Sequence, residues 1–454
     1  MKNPGNLEHL PTRKRFFIVA LLFISVVINY MDRSNISIAA PGIIKEFGLT
    51  SAHMGWIFGA WGWSYALFQI PGGWLADRVT PRRLLALLLF AWSLATIGLA
   101  FATNLVFFII LRMLIGMLEA PSYPINSRVV TTWIPEKERA RAIGTYTSAQ
   151  FVGLAFLTPV LSWLFSTLGW HYVFLVSGGL GIIWALLWYK LYNEPNKLKG
   201  VNQAEVTYIA QGGGIPDLSS RHDNVDDLKE IKKFDWRDLK FLLTSPKLWG
   251  LYLGQFGLGG TTIFFLTWFP TYLVEYRHMD FIKAGFAASI PFLCGFLGVL
   301  SSGVLSDFLL KKGFTLGFAR KLPIISGLLL STTIIGANFV NSPALVIVFM
   351  AIAFFATGLA SIVWTLVSSI APERLMGMTG GVFNFIGALS GVIVPITIGY
   401  LVDGGDFTPA LYFVCSMTLL GALSLILLVG KVERLAAPTH AKNHLESKKV
   451  IDSH

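Results

Sequence analysis

Apolar positions in this chain come in long unbroken runs. Twelve of them are long enough to cross a hydrocarbon core of ~30 Å as helices. They lie at about 16–39, 54–75, 84–103, 105–127, 142–168 and 171–192 in the first half, and at 247–273, 283–309, 322–340, 343–370, 378–402 and 408–430 in the second. The stretches between them are short except at 193–246, in the middle of the chain. The pattern predicts an all-α membrane protein of twelve spanning helices in two six-helix bundles, at 1–192 and 247–430, joined by a linker at 193–246 and followed by a polar tail at 431–454. Inside the linker, Asn202 and Glu205 predict a capped helix start, Gly212 to Gly214 its end, and Asp223 to Lys233 a charged, solvated stretch.

Composition fits a protein that lives in lipid. Hydrophobic residues make up 54% of the 454 and charged residues 13%, against about 25% charged in soluble domains. The net charge of +11 sits between the apolar runs, where it sets orientation, so no nucleic-acid partner is expected. Lys2, Arg13 to Arg15, Arg78, Arg82, Arg83, Arg128, Lys137, Arg139, Arg141, Lys311, Lys312, Arg320, Lys321 and Arg374 fall in one set of alternating loops, and Lys45, Arg277 and Lys283 in the other. The positive-inside rule then places both termini in the cytoplasm and the protein in the cytoplasmic (inner) membrane. The first apolar run is too long for a signal-peptide core, so no cleavable leader is expected. Cys294 and Cys415 lie in apolar runs and read as packing residues; neither a metal site nor a cofactor is expected.

Ionisable residues inside two runs change the picture. Asp32-Arg33 lies near the end of the first, and Arg112 and Glu119 share the fourth. A charge at the centre of a membrane helix costs at least about 2.5–3.5 kcal/mol and usually marks function. Seven residues bring a helix back to nearly the same face, so Arg112 and Glu119 share one side about 10.5 Å apart. All four are expected to meet in one aqueous pocket. Trp268, Tyr272 and Tyr276 read as an aromatic belt, and His53, His171 and His278 fall in outside loops with no proton-relay role.

An internal repeat divides the chain. Gly73-Trp-Leu-Ala-Asp77-Arg78, followed by Arg82-Arg83, is echoed by Gly303-Val-Leu-Ser-Asp307, followed by Lys311-Lys312. Ile134-Pro135-Glu136 is echoed by Ala371-Pro372-Glu373. Two parallel halves around a midplane site are a transporter plan. The segment from Gly73 to Arg83 resembles the major facilitator superfamily signature, with Gly73, Asp77, Arg78, Gly303 and Asp307 as cytoplasmic gate residues and a close helix approach at Gly73. Asn29 to Asn35, Gln69 to Trp74, Arg112 to Pro124 and Trp133 to Arg139 look like its anion:cation symporter branch. Within that branch the chain is similar to bacterial sugar-acid:proton symporters for galactonate, glucarate or galactarate.

That resemblance implies proton-coupled uptake of a small organic anion, with protons as coupling ion and the lipid bilayer as setting, by a monomer that is not an enzyme. It implies Asp32 and Glu119 as proton-coupling groups and Arg33 and Arg112 as anion binders. It also implies substrate contacts from Tyr30, Tyr65, Gln150, Ser361, Trp364, Ser368 and Asn384. The same scaffold admits an organic-anion/phosphate exchanger or a non-transporting nutrient sensor.

Overall fold

A computed structural model describes residues 10–216 and 236–436. Lys2, the charged stretch Asp223–Lys233 and the tail beyond 436 lie outside the described residues. The first bundle is built from α1 (Lys14–Phe47), α2 (Ser51–Arg78), α3 (Pro81–Leu99), α4 (Leu105–Glu119), α5 (Ser122–Trp133), α6 (Glu136–Leu168) and α7 (Trp170–Leu191). The linker carries α8 (Gln203–Gln211) and α9 (Trp236–Thr244). The second bundle contains α10 (Pro246–Thr267), the short α11 (Phe269–Thr271), α12 (Phe281–Lys311), α13 (Leu316–Ser331), α14 (Pro343–Ala360), α15 (Trp364–Ile370), α16 (Met376–Leu401) and α17 (Thr408–Leu427).

Ten of the spans are long and apolar enough to cross a membrane, with α4–α5 and α14–α15 each counted as one. Of the remaining two crossings, α2 has 28 residues and α10 has 22. They fall short in hydropathy, not in length, because glycines, tryptophans and a glutamine dilute their aliphatic side chains. Large apolar side chains such as Leu87, Phe156, Ile183 and Leu420 are more than half exposed, a surface suited to lipid and not to water. Six crossings precede the linker, so the start of α1, the linker and the end of α17 share one face.

Helix breaks were not legible in the apolar pattern. The run at 105–127 is divided at Ala120-Pro121 into α4 and α5, because Pro121 has no N–H to continue the ladder. The fourth crossing of the second half breaks as well, at a 3₁₀ turn over Ser361–Val363. The aromatic belt expected at Trp268 and Tyr272 is overturned: both are fully buried. The seventh crossing breaks at Trp268 and continues as a π-helical turn over Tyr272–Tyr276, which turns these rings inward. Trp268 packs edge-on against Phe58 of α2 at 5.2 Å and donates to the Pro395 carbonyl at 3.1 Å.

Among the described residues, the close approaches between the bundles lie towards one face. A Cβ on Gly62 of α2 would lie 2.5 Å from the Gly391 carbonyl of α16, and one on Gly285 of α12 would lie 2.6 Å from Ser162 of α6. Both points are in the half of the membrane away from the linker. At the linker ends of the same four helices, Gly73, Gly144, Gly303, Gly377 and Gly381 have open space beside them. The close approach expected at Gly73 is therefore made by Gly72, packed on Pro121, since the linker ends of the bundles stand apart.

The linker is docked rather than loose at its start. Asn202 caps α8 through the Glu205 N–H at 3.0 Å, but the Glu205 carboxylate does not return to Asn202. It is fully buried and accepts from the backbone N–H of Lys14 at 2.9 Å, from that of Arg15 at 3.1 Å and from the Thr12 hydroxyl. Gly213, at φ +81°, ends the helix as expected of the glycine triplet.

Candidate transport site

Between the bundles lies a cavity of about 660 Å³ that reaches from mid-membrane towards the linker face. Its first-half wall carries Tyr30, Arg33, Trp61, Tyr65, Gln69, Tyr123 and Gln150; its second-half wall carries Gln255, Thr262, Thr357, Ser361, Asn384 and Ser390. Arg33 is the only charged residue among those lining it.

Arg33 is held from three sides. Its guanidinium lies over the rings of Tyr30, Trp61 and Tyr65 at 4.8, 4.6 and 4.9 Å, contacts that favour a cation. Trp61 and Tyr65 stack on each other at 4.6 Å. Arg33 Nε donates to Glu119 Oε2 at 3.1 Å, and Trp61 Nε1 donates to the same oxygen at 3.1 Å. Arg33 Nη2 is left without a hydrogen-bond partner. The planar fork therefore holds an internal carboxylate with one nitrogen, while another, itself shielded from solvent, is left without an acceptor.

The expectation that four ionisable groups share one aqueous pocket is corrected. Neighbours on a helix diverge by ~100°, so Arg33 faces the cavity while Asp32 points into the first bundle. Asp32 is 1% exposed and absent from the cavity wall. Trp92 Nε1 of α3 donates to its Oδ2 at 3.0 Å, and Asn35 Nδ2 reaches its Oδ1 at 3.5 Å while also donating to Ser177 of α7 at 3.0 Å. Arg112 is buried on α4, with Nε and Nη1 unpartnered, and makes no ion pair among the described residues. Glu119 is fully buried and takes Arg33, not Arg112, as its partner.

The remaining sequence candidates separate into two groups. Tyr30, Tyr65, Gln150, Ser361 and Asn384 line the cavity with Arg33. Arg112, Trp364 and Ser368 do not. Trp364 opens α15 beyond the 3₁₀ break, where its ring packs edge-on against Phe383 at 5.3 Å. Ser368 lies one turn further and donates to the Thr365 carbonyl. At the linker face, Asp77 and Asp307 are exposed, and Arg78 lies over the Trp74 ring at 3.9 Å. Arg128, expected in a loop, belongs to α5 and donates to the Ala76 and Val79 carbonyls at the end of α2. Sequence reasoning missed Trp61, Trp92, Tyr123 and Gln255. The usable signal was that a buried indole N–H or amide inside a membrane bundle must find a partner.

Residues 22–395 match the profile of the Major Facilitator Superfamily. The chain belongs to that superfamily. It is 51% identical over 425 residues to the D-galactonate transporter of Escherichia coli O6:H1, covering 94% of this chain and 98% of that one. It is 43% identical to the probable galactarate/D-glucarate transporter of Bacillus subtilis strain 168, covering 93% and 94%.

Among solved structures, the D-xylose-proton symporter superposes with a TM-score of 0.68 at 15% identity, covering 92% of this chain and 99% of that one. A bacterial homologue of the human lysosomal transporter Spinster, in an inward-facing and unoccupied conformation, gives 0.67 at 20%, covering 92% and 95%. These likenesses establish the superfamily fold. As a superfamily member with transporters for relatives, the chain is a multi-pass membrane transporter and not an enzyme.

Proposed function

We propose that the protein takes up a sugar acid of the galactonate, galactarate or glucarate class by proton-coupled symport, across the cytoplasmic membrane with both termini inside. The observation that carries this reading is the pairing at Arg33. One guanidinium faces a cavity closed at one side, is partly neutralised by a buried carboxylate, and keeps one nitrogen unpaired. The names of the relatives supply the substrate class.

A sugar carboxylate entering a low-dielectric cavity needs a counter-charge, and Arg33 offers it. Glu119 competes for the same guanidinium while ionised. Protonating Glu119 frees Arg33 for the anion and lowers the charge of the loaded site, so the bundles rock only when proton and substrate travel together. Asp32 acts as a second proton store that the substrate does not touch, and Arg112 is the counter-cation between the two carboxylates. Neutral groups on the other wall, Gln255, Ser361 and Asn384, face the sugar hydroxyls.

The test is flux in proteoliposomes. Wild-type protein is expected to concentrate labelled galactonate under an inward pH gradient, while Asp32→Asn retains exchange but loses accumulation. Transport that requires internal counter-substrate and ignores the pH gradient identifies an exchanger and refutes symport.

A further inference from the structure

Asp32 presents a problem that the transport site leaves open: a carboxylate sealed off from the cavity has no direct way to exchange its proton. Beside it the first bundle encloses a small chamber of about 10 Å³, walled by Ser25, Asn29, Trp92, Ser122, Tyr123 and Asn126 together with two aliphatic side chains. That is about the space one water centre needs. Asn29, Ser122 and Asn126 are 4%, 5% and 2% exposed. Asn29 Nδ2, Ser122 Oγ and Asn126 Oδ1 each lack a hydrogen-bond partner. They are a donor, a group that serves as either, and an acceptor, the set that holds one water in place.

The chamber lies between the two ends of a route. Trp92 forms part of its wall and donates to Asp32 at 3.0 Å, and Asn29 lies one helical turn before Asp32 on α1. On the other side, Tyr123 borders the chamber and the large cavity alike, and its hydroxyl donates to that of Tyr30 at 3.4 Å. The ionisable groups acting on Asp32 are Glu119 and Arg112 of α4; Asn35, Trp92 and Ser177 around it are neutral.

We propose that this chamber binds a water and is the path by which protons pass between the cavity and Asp32, with Tyr123 as the partition and Asn29, Ser122 and Asn126 as positioning residues. The proposal rests on the reading of Asp32 as a proton-coupling group. The chamber water accepts a proton on its lone pair from the Tyr123 hydroxyl, which regains one from the cavity side, and releases another of its protons to the Asp32 carboxylate when the Trp92 indole that stands between them moves aside. A neutral water and a carboxylic acid remain, and the substrate stays in the cavity throughout.

Proteoliposomes with a trapped pH dye and labelled galactonate test this. Asn126→Leu fills the chamber with a side chain that relays nothing. Its initial rate of pH-driven accumulation, and the accompanying dye signal, are expected to fall at least tenfold. Counterflow at equal pH and galactonate affinity are expected to stay within twofold of wild type, and Asn126→Ser, which keeps an oxygen, to recover at least half of the accumulation rate. Should Asn126→Leu not yield folded protein, Ser122→Ala is read in the same way with a loss of about threefold.

Wild-type accumulation in these variants overturns the path, and so does an equal loss of accumulation and counterflow, which indicates packing alone. Asp32→Asn, run in parallel, separates the two ideas. If it accumulates substrate normally, the coupling role of Asp32 is wrong; if it fails while Asn126→Leu does not, only the chamber is wrong.

Discussion

Replacing Glu119 by Gln isolates the competition on which coupling depends. The change keeps the shape of the side chain and an acceptor for Arg33 Nε and Trp61 Nε1, but removes the negative charge. At the observed 3.1 Å separation, the attraction between unit charges is about 5 kcal/mol at an effective dielectric of ~20. That figure is the upper limit of what an incoming carboxylate must overcome to claim Arg33. If a quarter of it survives desolvation and the retained hydrogen bonds, affinity for a sugar acid rises about tenfold, since ~1.4 kcal/mol is one decade. Isothermal titration calorimetry with galactonate on detergent-purified protein reads this directly. Glu119→Gln is expected to bind at least tenfold more tightly, to exchange labelled substrate, and to lose accumulation under a pH gradient. Unaltered affinity together with wild-type accumulation would show that Glu119 and the substrate do not compete.

Three further outcomes follow from particular contacts. Arg33→Lys puts a point charge where a fork is needed to hold Glu119 and a second carboxylate together, so galactonate binding by calorimetry should weaken at least tenfold; equal affinity would show that the fork is not used. Gly62→Ala places a Cβ 2.5 Å from a backbone carbonyl of α16. Overpacking of ~1–3 kcal/mol then favours opening of the closed face by roughly 5- to 150-fold. In a background lacking Cys294 and Cys415, a cysteine in place of Phe281, whose ring lies 4.3 Å from Phe165, should label faster with an impermeant maleimide, and an unchanged rate would count against that face as the moving seal. Glu205→Ala strips the buried acceptor from Arg15 and the start of α1. About 3–5 kcal/mol is at stake, so the melting temperature of the purified protein should drop clearly, and an unshifted melt would mean that α8 contributes nothing to the bundle.

The spanning segments were legible because lipid imposes a length on every crossing, and that length survives in the sequence even where α2 and α10 trade aliphatic residues for glycine and tryptophan. The intramembrane charges were legible for the same reason: Asp32, Arg33, Arg112 and Glu119 stand out against lipid-compatible neighbours. Their directions were not read correctly, although the information was present. Adjacent positions on a helix cannot face one pocket, so Asp32 and Arg33 had to divide between bundle interior and cavity. What the apolar pattern could not give was the path of the backbone at Ala120-Pro121 and at Ser361–Val363, since neither break shortens the run that contains it; Pro121 carried the signal of the first, and Ser361 alone does not announce the second. Trp364 and Ser368 were misplaced relative to the cavity by the second break. Trp268 and Tyr272 were misplaced by the turn of the seventh crossing, where a sequence of aromatics reads equally as belt or plug.

The two halves share a fold but not a chemistry, and the difference says how the work is divided. Both break their fourth crossing near mid-membrane, and both present a polar wall to the cavity. Among the described residues, every acidic or basic side chain at that depth belongs to the first half: Asp32 and Arg33 on α1, Arg112 and Glu119 on α4. The cavity-lining residues of the second half that can hydrogen-bond, among them Gln255, Thr262, Ser361 and Asn384, are all neutral. Charge exchange between proton and substrate can therefore be completed within one rigid bundle, without moving an ion pair across the interface that slides. The neutral wall is free to rock against it and to discriminate hydroxyl patterns, because a neutral hydrogen bond is exchanged for water at little net cost, whereas an ion pair split between the halves would have to be broken in every cycle.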